Sequence, residues 1–145
     1  MFDTNFAFAP GKITTILDGG AGSSGKGKLG SFIGSHASNW QFCCNAFMSN
    51  SAHWVVLDDG TKYLYQALNS VAHLKDKYEK MYICGGAVVE IDSLLSEIEQ
   101  HNLSPSSLGI HPLVAIVTEK DINYERGLSS FDGTRFDSLV QSDCM

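Results

Sequence analysis

The run Gly20-Ala21-Gly22-Ser23-Ser24-Gly25-Lys26-Gly27-Lys28 combines the residue types that hold a phosphate. Glycines let successive backbone N–H groups turn inward around an anion, a lysine supplies a point charge, and a helix starting at that place aims its positive end at the same spot. Residues 20–26 fit G-x-x-x-x-G-K, the core of a P-loop, but Gly27 stands where that motif carries Ser or Thr. In an ordinary P-loop that hydroxyl holds Mg2+, so a standard kinase or ATPase reading loses its metal ligand. Lys26 at a helix start opposes the helix dipole unless an anion neutralises the site. Lys28 reads equally well as a solvated cation. Ser23 and Ser24 suit a turn or a helix cap, and a histidine in the position of His53, opening a strand, is ordinarily a hydrogen-bonded or half-exposed group.

These groups need elements to position them. Lys12 to Asp18, rich in Ile and Thr, reads as a strand buried on both faces and central in its sheet. The spacing of Leu29, Phe32 and Ile33 predicts a helix over Lys26 to His36 with that face against a sheet. Trp40 to Ala46 and His53 to Leu57 follow as apolar strands separated by a loop at Asn50-Ser51. Asp58-Asp59-Gly60 is turn chemistry and predicts a hairpin with Thr61 to Gln66. Ser70 to Tyr78 reads as a surface-facing helix and Met81 to Cys84 as a short buried strand. Ile91 to Gln100, with Ile91, Leu94, Leu95 and Ile98 on one face and Asp92 in the first turn, reads as a helix, and Leu113 to Val117 as a last strand. Strands alternating with helices after a Gly-rich first turn indicate an α/β fold, a mainly parallel sheet with flanking helices and a P-loop-like first turn. Residues 128–145 carry little apolar spacing and read as a poorly structured tail.

The chain has 145 residues, 43% of them hydrophobic, enough for one core and too few for two ordinary domains, so residues 1–145 are read as a single nucleotide-binding domain or part of one, and the resemblance described below implies an incomplete one. A net charge of -6 sets a field that repels polyanions, which argues against nucleic acid as a partner. A small anion is held by local N–H groups and a lysine whatever the net charge. Neither a secretory signal nor a membrane-spanning run is visible, and Cys43, Cys44, Cys84 and Cys144 lack metal-ligand spacing; they read as reduced thiols of a cytoplasmic protein, in the host cytoplasm if the source is viral. His36, His73, His101 and His111 have no partner spacing and read as structural or surface groups.

Ser23-Ser24-Gly25-Lys26-Gly27-Lys28 resembles the Asp-Glu-Gly-Lys-Gly-Lys stretch of the adenylosuccinate synthetase family, and Asn50-Ser51-Ala52-His53-Trp54-Val55-Val56 is similar to its Asn-Ala-Gly-His-Thr-Val-Val. Lys62-Tyr63 with Ser70, and Gly85-Gly86-Ala87-Val88-Val89, resemble later segments, and the similarity runs from about Thr14 to Glu125. The resemblance implies part of that family's fold and a two-step ligation. A purine O6 takes the γ-phosphate of ATP or GTP, and the amine of L-aspartate then displaces that phosphate at C6. It also implies site roles. Lys26 and the N–H groups of Gly22, Ser23, Ser24, Gly25, Gly27 and Lys28 would cradle phosphate. Asn50, Ser51, Ala52 and Trp54 would line the nucleotide, His53 would donate to the transferring group, and Ser23 with the Ala52 carbonyl would face Mg2+. Family members pair as homodimers.

Ser23 stands where the family has the acid that accepts the N1 proton and ligates the metal. A hydroxyl cannot act as that base near neutral pH. The branch of the family that makes 2-aminoadenylosuccinate from dGMP in bacteriophages also has a small residue there, which leaves room for the purine 2-amino group. The resemblance is therefore strongest to that dGMP-using branch. Ordinary adenylosuccinate synthetase, using IMP and GTP, is the alternative within the same chemistry. A truncated, inactive nucleotide-binding module and a small P-loop kinase are the alternatives outside it, the latter opposed by Gly27.

Overall fold

The computed structural model describes residues 11–19, 24–36, 41–49 and 51–124. Helix α1, Lys26–His36, leads into β1, Phe42–Asn45, and then a hairpin of β2, His53–Val56, and β3, Lys62–Tyr65. A 3-10 helix, Ala72–Lys77, precedes β4, Lys80–Ile83, and β5, Val88–Glu90, runs directly into α2, Ile91–Gln100. Two three-residue strands, β6, Leu108–Ile110, and β7, Ala115–Val117, complete the order. Strands β1, β4 and β6 form a parallel sheet in the order β1-β4-β6, β5 and β7 pair in parallel, and β2 and β3 are antiparallel. The fold is α/β with parallel strands and flanking helices. The hairpin closes where Asp59 Oδ1 accepts the Thr61 N–H at 2.8 Å and Gly60 takes φ of +86°, a conformation that suits glycine.

The expected first strand is absent: Lys12 to Asp18 is irregular, and Ile13 and Leu17 are 93% and 82% exposed. β-branched residues favour an extended chain, yet a strand exists only where a neighbour supplies ladder partners, and among the described residues none runs beside this segment. Helix α1 has its expected bounds but not its expected face. Gly27, Ser31 and Gly34 are buried, whereas Leu29 and Phe32 are largely exposed. Neighbours come too close for anything larger. A Cβ at Gly34 would stand 2.6 Å from Val71 Cγ1, and one at Gly30 would stand 3.2 Å from Ser70 Oγ.

Other elements show similar differences. Ser70, Val71, Ala72 and Tyr78 are buried, so the segment read as a surface helix is a 3-10 turn packed inward. On α2 the buried residues are Leu94 and Glu97, and Leu95 points out. Strands β5 and β6 lay in stretches too short to read. The core joins both layers through Val55, Tyr65, Leu68, Ile83, Val89 and Leu94. Cys43, Cys44 and Cys84 are free thiols, and burial, then the neighbouring Cys44, pushes the Cys43 thiol up to about 12, which keeps it in its inert protonated form. The tail from residue 128, Trp40 and Cys144 lie outside the described residues.

Beneath α1, His73 Nδ1 lies 3.1 Å from the Tyr65 hydroxyl, its ring stacks on Tyr63 at 5.6 Å, and His101 stacks on Tyr65 at 5.2 Å. Burial, then His101, lowers the His73 pKa from 6.5 to about 4, and burial, then Lys75, lowers that of His101. Unfolding between those values takes up protons the native state refuses. Stability is therefore complete above pH 6.5 and falls as the pH drops toward 4. Thermal melts from pH 7.5 to 4.5 are expected to show this loss, and His73→Phe, which removes one of the imidazoles that take up a proton, is expected to reduce it; a melting temperature independent of pH would contradict the assignment.

Candidate functional site

Gly25 adopts φ of +77°, a conformation side chains resist, and its carbonyl accepts the first helical bond from the Leu29 N–H at 3.0 Å. The chain thus turns sharply into α1, and the N–H groups of the first turn are left without intrahelical acceptors. No acid lies in that turn; Lys26 and Lys28 do. Two cations at the positive end of a helix are unfavourable unless an anion joins them.

Strand β2 delivers His53 to the same place. Its Cβ, Cγ and Nδ1 lie 2.6, 3.1 and 3.2 Å from where a Cβ on Gly27 would stand, so the imidazole occupies the space of a residue-27 side chain. This explains the departure from the ordinary P-loop: the hydroxyl of a Ser or Thr and the imidazole exclude each other. Phe47 also packs against the imidazole, with ring centroids 4.2 Å apart. Burial, and behind it the Lys26 ammonium, holds the His53 pKa below 6.5, so the ring is neutral at neutral pH. Its Nε2 is buried without a hydrogen-bond partner among the described residues. An orphaned buried donor or acceptor is costly, and a ligand that meets it recovers that cost.

The Lys26 ammonium pairs with the Asp18 carboxylate, a contact in which Asp18 is only 15% exposed, and Ser24 Oγ lies 3.5 Å from the same nitrogen. Ser24, Gly25, Lys26, Gly27 and Lys28 are thus gathered around the head of α1 with His53. Ser51 is occupied in a turn, its N–H and Oγ both donating to the Met48 carbonyl at 2.9 and 2.7 Å. Ala52 is exposed immediately before β2. Trp54 lies on the opposite face of β2 from His53, as strand alternation requires, with its ring 43% exposed. Gly22, Ser23 and Asn50 lie outside the described residues. Sequence reasoning did not single out Asp18 or Phe47; the signal for Asp18 was an acid placed directly before the glycines of the bend.

No protein-family model matches the chain, and no curated protein is similar to it in sequence. Solved structures are similar. One is cyanophage S-2L succinoaminodeoxyadenylate synthetase, PurZ, bound to dGMP and to dATP as an energy donor, with a TM-score of 0.62 and 28% identity over 77% of this chain. Another is adenylosuccinate synthetase from Plasmodium falciparum in its fully ligated state, with a TM-score of 0.64 and 20% identity over 75% of this chain. The chain spans 30% of the phage enzyme and 25% of the plasmodial one. In fold, and in its loop and histidine motifs, this chain resembles part of the adenylosuccinate synthetase-type enzymes.

Proposed function

We propose that the chain forms the phosphate-handling part of a purine-nucleotide ligase that joins L-aspartate to C6 of dGMP with ATP as phosphoryl donor, giving 2-amino-2'-deoxy-N6-succinyladenylate. The observation that carries this is the head of α1, where Lys26 and the His53 ring lie together at the first helical turn, leaving no room at Gly27 for the side chain of a kinase-type loop, while His53 Nε2 is buried without a hydrogen-bond partner among the described residues. Support for the nucleotide comes from the likeness to a synthetase bound to dGMP and dATP and from Ser23 in the place of an acid.

In the first step the purine N1–H gives its proton to water relayed through Ser23 as O6 attacks the γ-phosphorus; the O6–P bond forms, the bridging P–O bond breaks and ADP leaves. Negative charge spreads over the transferring oxygens, where Lys26 and the first-turn N–H groups of α1 offset it. His53, neutral in the empty protein, contributes an Nε2 hydrogen to the same oxygens when that tautomer is selected. In the second step the aspartate amine adds at C6 and phosphate departs. No group of three His, Cys, Asp or Glu among the described residues is arranged to hold a metal. Ser23 and the Ala52 carbonyl would hold Mg2+ together with the bound nucleotide, and the ion would supply charge neutralisation across the phosphates. No helix among the described residues is long and apolar enough to cross a membrane. A cytoplasmic location and pairing as a homodimer complete the proposal.

Phosphate release that requires both dGMP and aspartate is the deciding assay. Triphosphate binding without such release would instead support a non-catalytic nucleotide-binding module. Lys26→Met is expected to weaken triphosphate binding about ten- to a hundredfold, the value of a charge-assisted contact. Ser23→Asp is expected to weaken dGMP relative to IMP by about tenfold or more, because the carboxylate would crowd the 2-amino group. Titration calorimetry with each monophosphate checks it, and equal affinities would reject the steric account.

A further inference from the structure

A carboxylate held against Lys26 at the head of α1 is contributed by the irregular segment before it. Lys26 Nζ contacts the Asp18 carboxylate across eight residues of chain, in a part-buried setting with Ser24 Oγ at 3.5 Å. Asp18 therefore sits on the same cation that a phosphate would need. We propose that Asp18 is a positioning residue that acts as an internal stand-in for phosphate, holding the Lys26 ammonium at the helix head in the empty protein and surrendering it to the incoming anion. This rests on reading the head of α1 as a phosphate site.

Two physical consequences follow from that geometry. A carboxylate and a phosphate on one ammonium repel each other, so anion binding requires Asp18 to give up its contact with Lys26. The segment bearing it is suited to such movement: Lys12 to Asp18 has no ladder partner among the described residues, and most of its side chains are solvent-exposed. The exchange also lowers apparent affinity, because only the fraction of molecules with Lys26 released is competent to bind. A weak anion alone then competes poorly with Asp18, whereas a triphosphate, with several charges and further contacts along the loop, displaces it. The carboxylate filters ligands by charge.

Titration calorimetry with pyrophosphate on the whole chain and on Asp18→Asn, Asp18→Glu and Lys26→Met tests this. Asp18→Asn is expected to bind pyrophosphate about tenfold more tightly than the wild type, the gain from removing an occluded population of roughly nine in ten molecules. Asp18→Glu, which keeps the charge, is expected to stay within about twofold of the wild type, and Lys26→Met to lose binding whichever residue stands at position 18. Thermal melts establish that each variant is folded. Unchanged or weaker pyrophosphate binding by folded Asp18→Asn, with the wild type binding normally, overturns the role of Asp18 and leaves the phosphate site standing. Failure of both the wild type and Asp18→Asn to bind overturns the phosphate site and this inference with it. A purely structural Asp18 would loosen the site when replaced, the opposite of the expected gain.

Discussion

Gly27→Ser, which completes the ordinary P-loop motif, is expected to damage the protein rather than improve it. The new Cβ would stand 2.6 Å from His53 Cβ, a distance that real Cβ atoms do not tolerate. His53 Cβ is not the flexible end of a side chain. It is fixed to a strand whose register pairs His53 with Tyr65, and Phe47 packs against the ring. Either α1 or β2 must therefore shift, at a cost of about 1–3 kcal/mol for overpacking at a tight contact. Shifting either separates the first-turn N–H groups from the imidazole, so pyrophosphate binding should fall by about tenfold or more, the scale on which an ångström of misplacement is felt. Thermal melts and titration calorimetry measure the two effects. Gly27→Ala should behave alike, since the clash arises at Cβ; a Gly27→Ser chain with wild-type melting and binding would show that the imidazole does not need that space.

Glu97→Ala should be the most destabilising single change among the described residues. The Glu97 carboxylate, buried on α2, accepts the backbone N–H of Gln66 at 2.7 Å, of Ala67 at 3.1 Å and of Leu68 at 2.8 Å. It closes the chain as it leaves β3 and turns toward the 3-10 segment that packs under α1. Truncation leaves three donors without an acceptor and opens a cavity, for a loss of about 3 kcal/mol or more. The melting temperature should drop on the order of 10 °C. Glu97→Gln should also be costly, because one carboxylate oxygen becomes an amide donor facing an N–H donor. Burial pushes the Glu97 carboxyl up, and the three N–H groups only partly pull it back down. A carboxyl raised in the native state does not make acid destabilising. Loss of stability between pH 6.5 and 4 belongs instead to the imidazoles, whose native values are lowered, and the pH series on Glu97→Gln should retain it.

Local chemistry was legible wherever neighbours in sequence decide the outcome. Gly25 marked the entry to α1, and Asp59 and Gly60 marked the hairpin turn; each depends on backbone torsion or charge within a few residues. The bounds of α1 and α2 follow from the same local preferences. Depth of packing was not legible. Leu29 and Phe32 formed the apolar face, yet the face made of Gly27, Ser31 and Gly34 is the buried one, because apolar spacing records what a residue prefers and not how closely the next element approaches. Glu97 shows the same limit: a carboxylate on a helix looks solvated until three N–H groups from another loop converge on it.

The segment from Lys12 to Asp18 marks the boundary most sharply. Its Ile and Thr content expresses a preference for an extended backbone, but the ladder that makes a strand comes from another part of the chain, and the described residues provide none there. Residue types and their order proposed a phosphate loop, and the resemblance added a partner histidine. Whether the two share one place was settled by non-local contacts: β2 lying against α1, with one missing side chain at Gly27 making room for an imidazole, and a carboxylate from Asp18 reaching across the bend to Lys26. Torsional and charge preferences act over a few bonds, whereas proximity between distant segments is a property of the packed molecule.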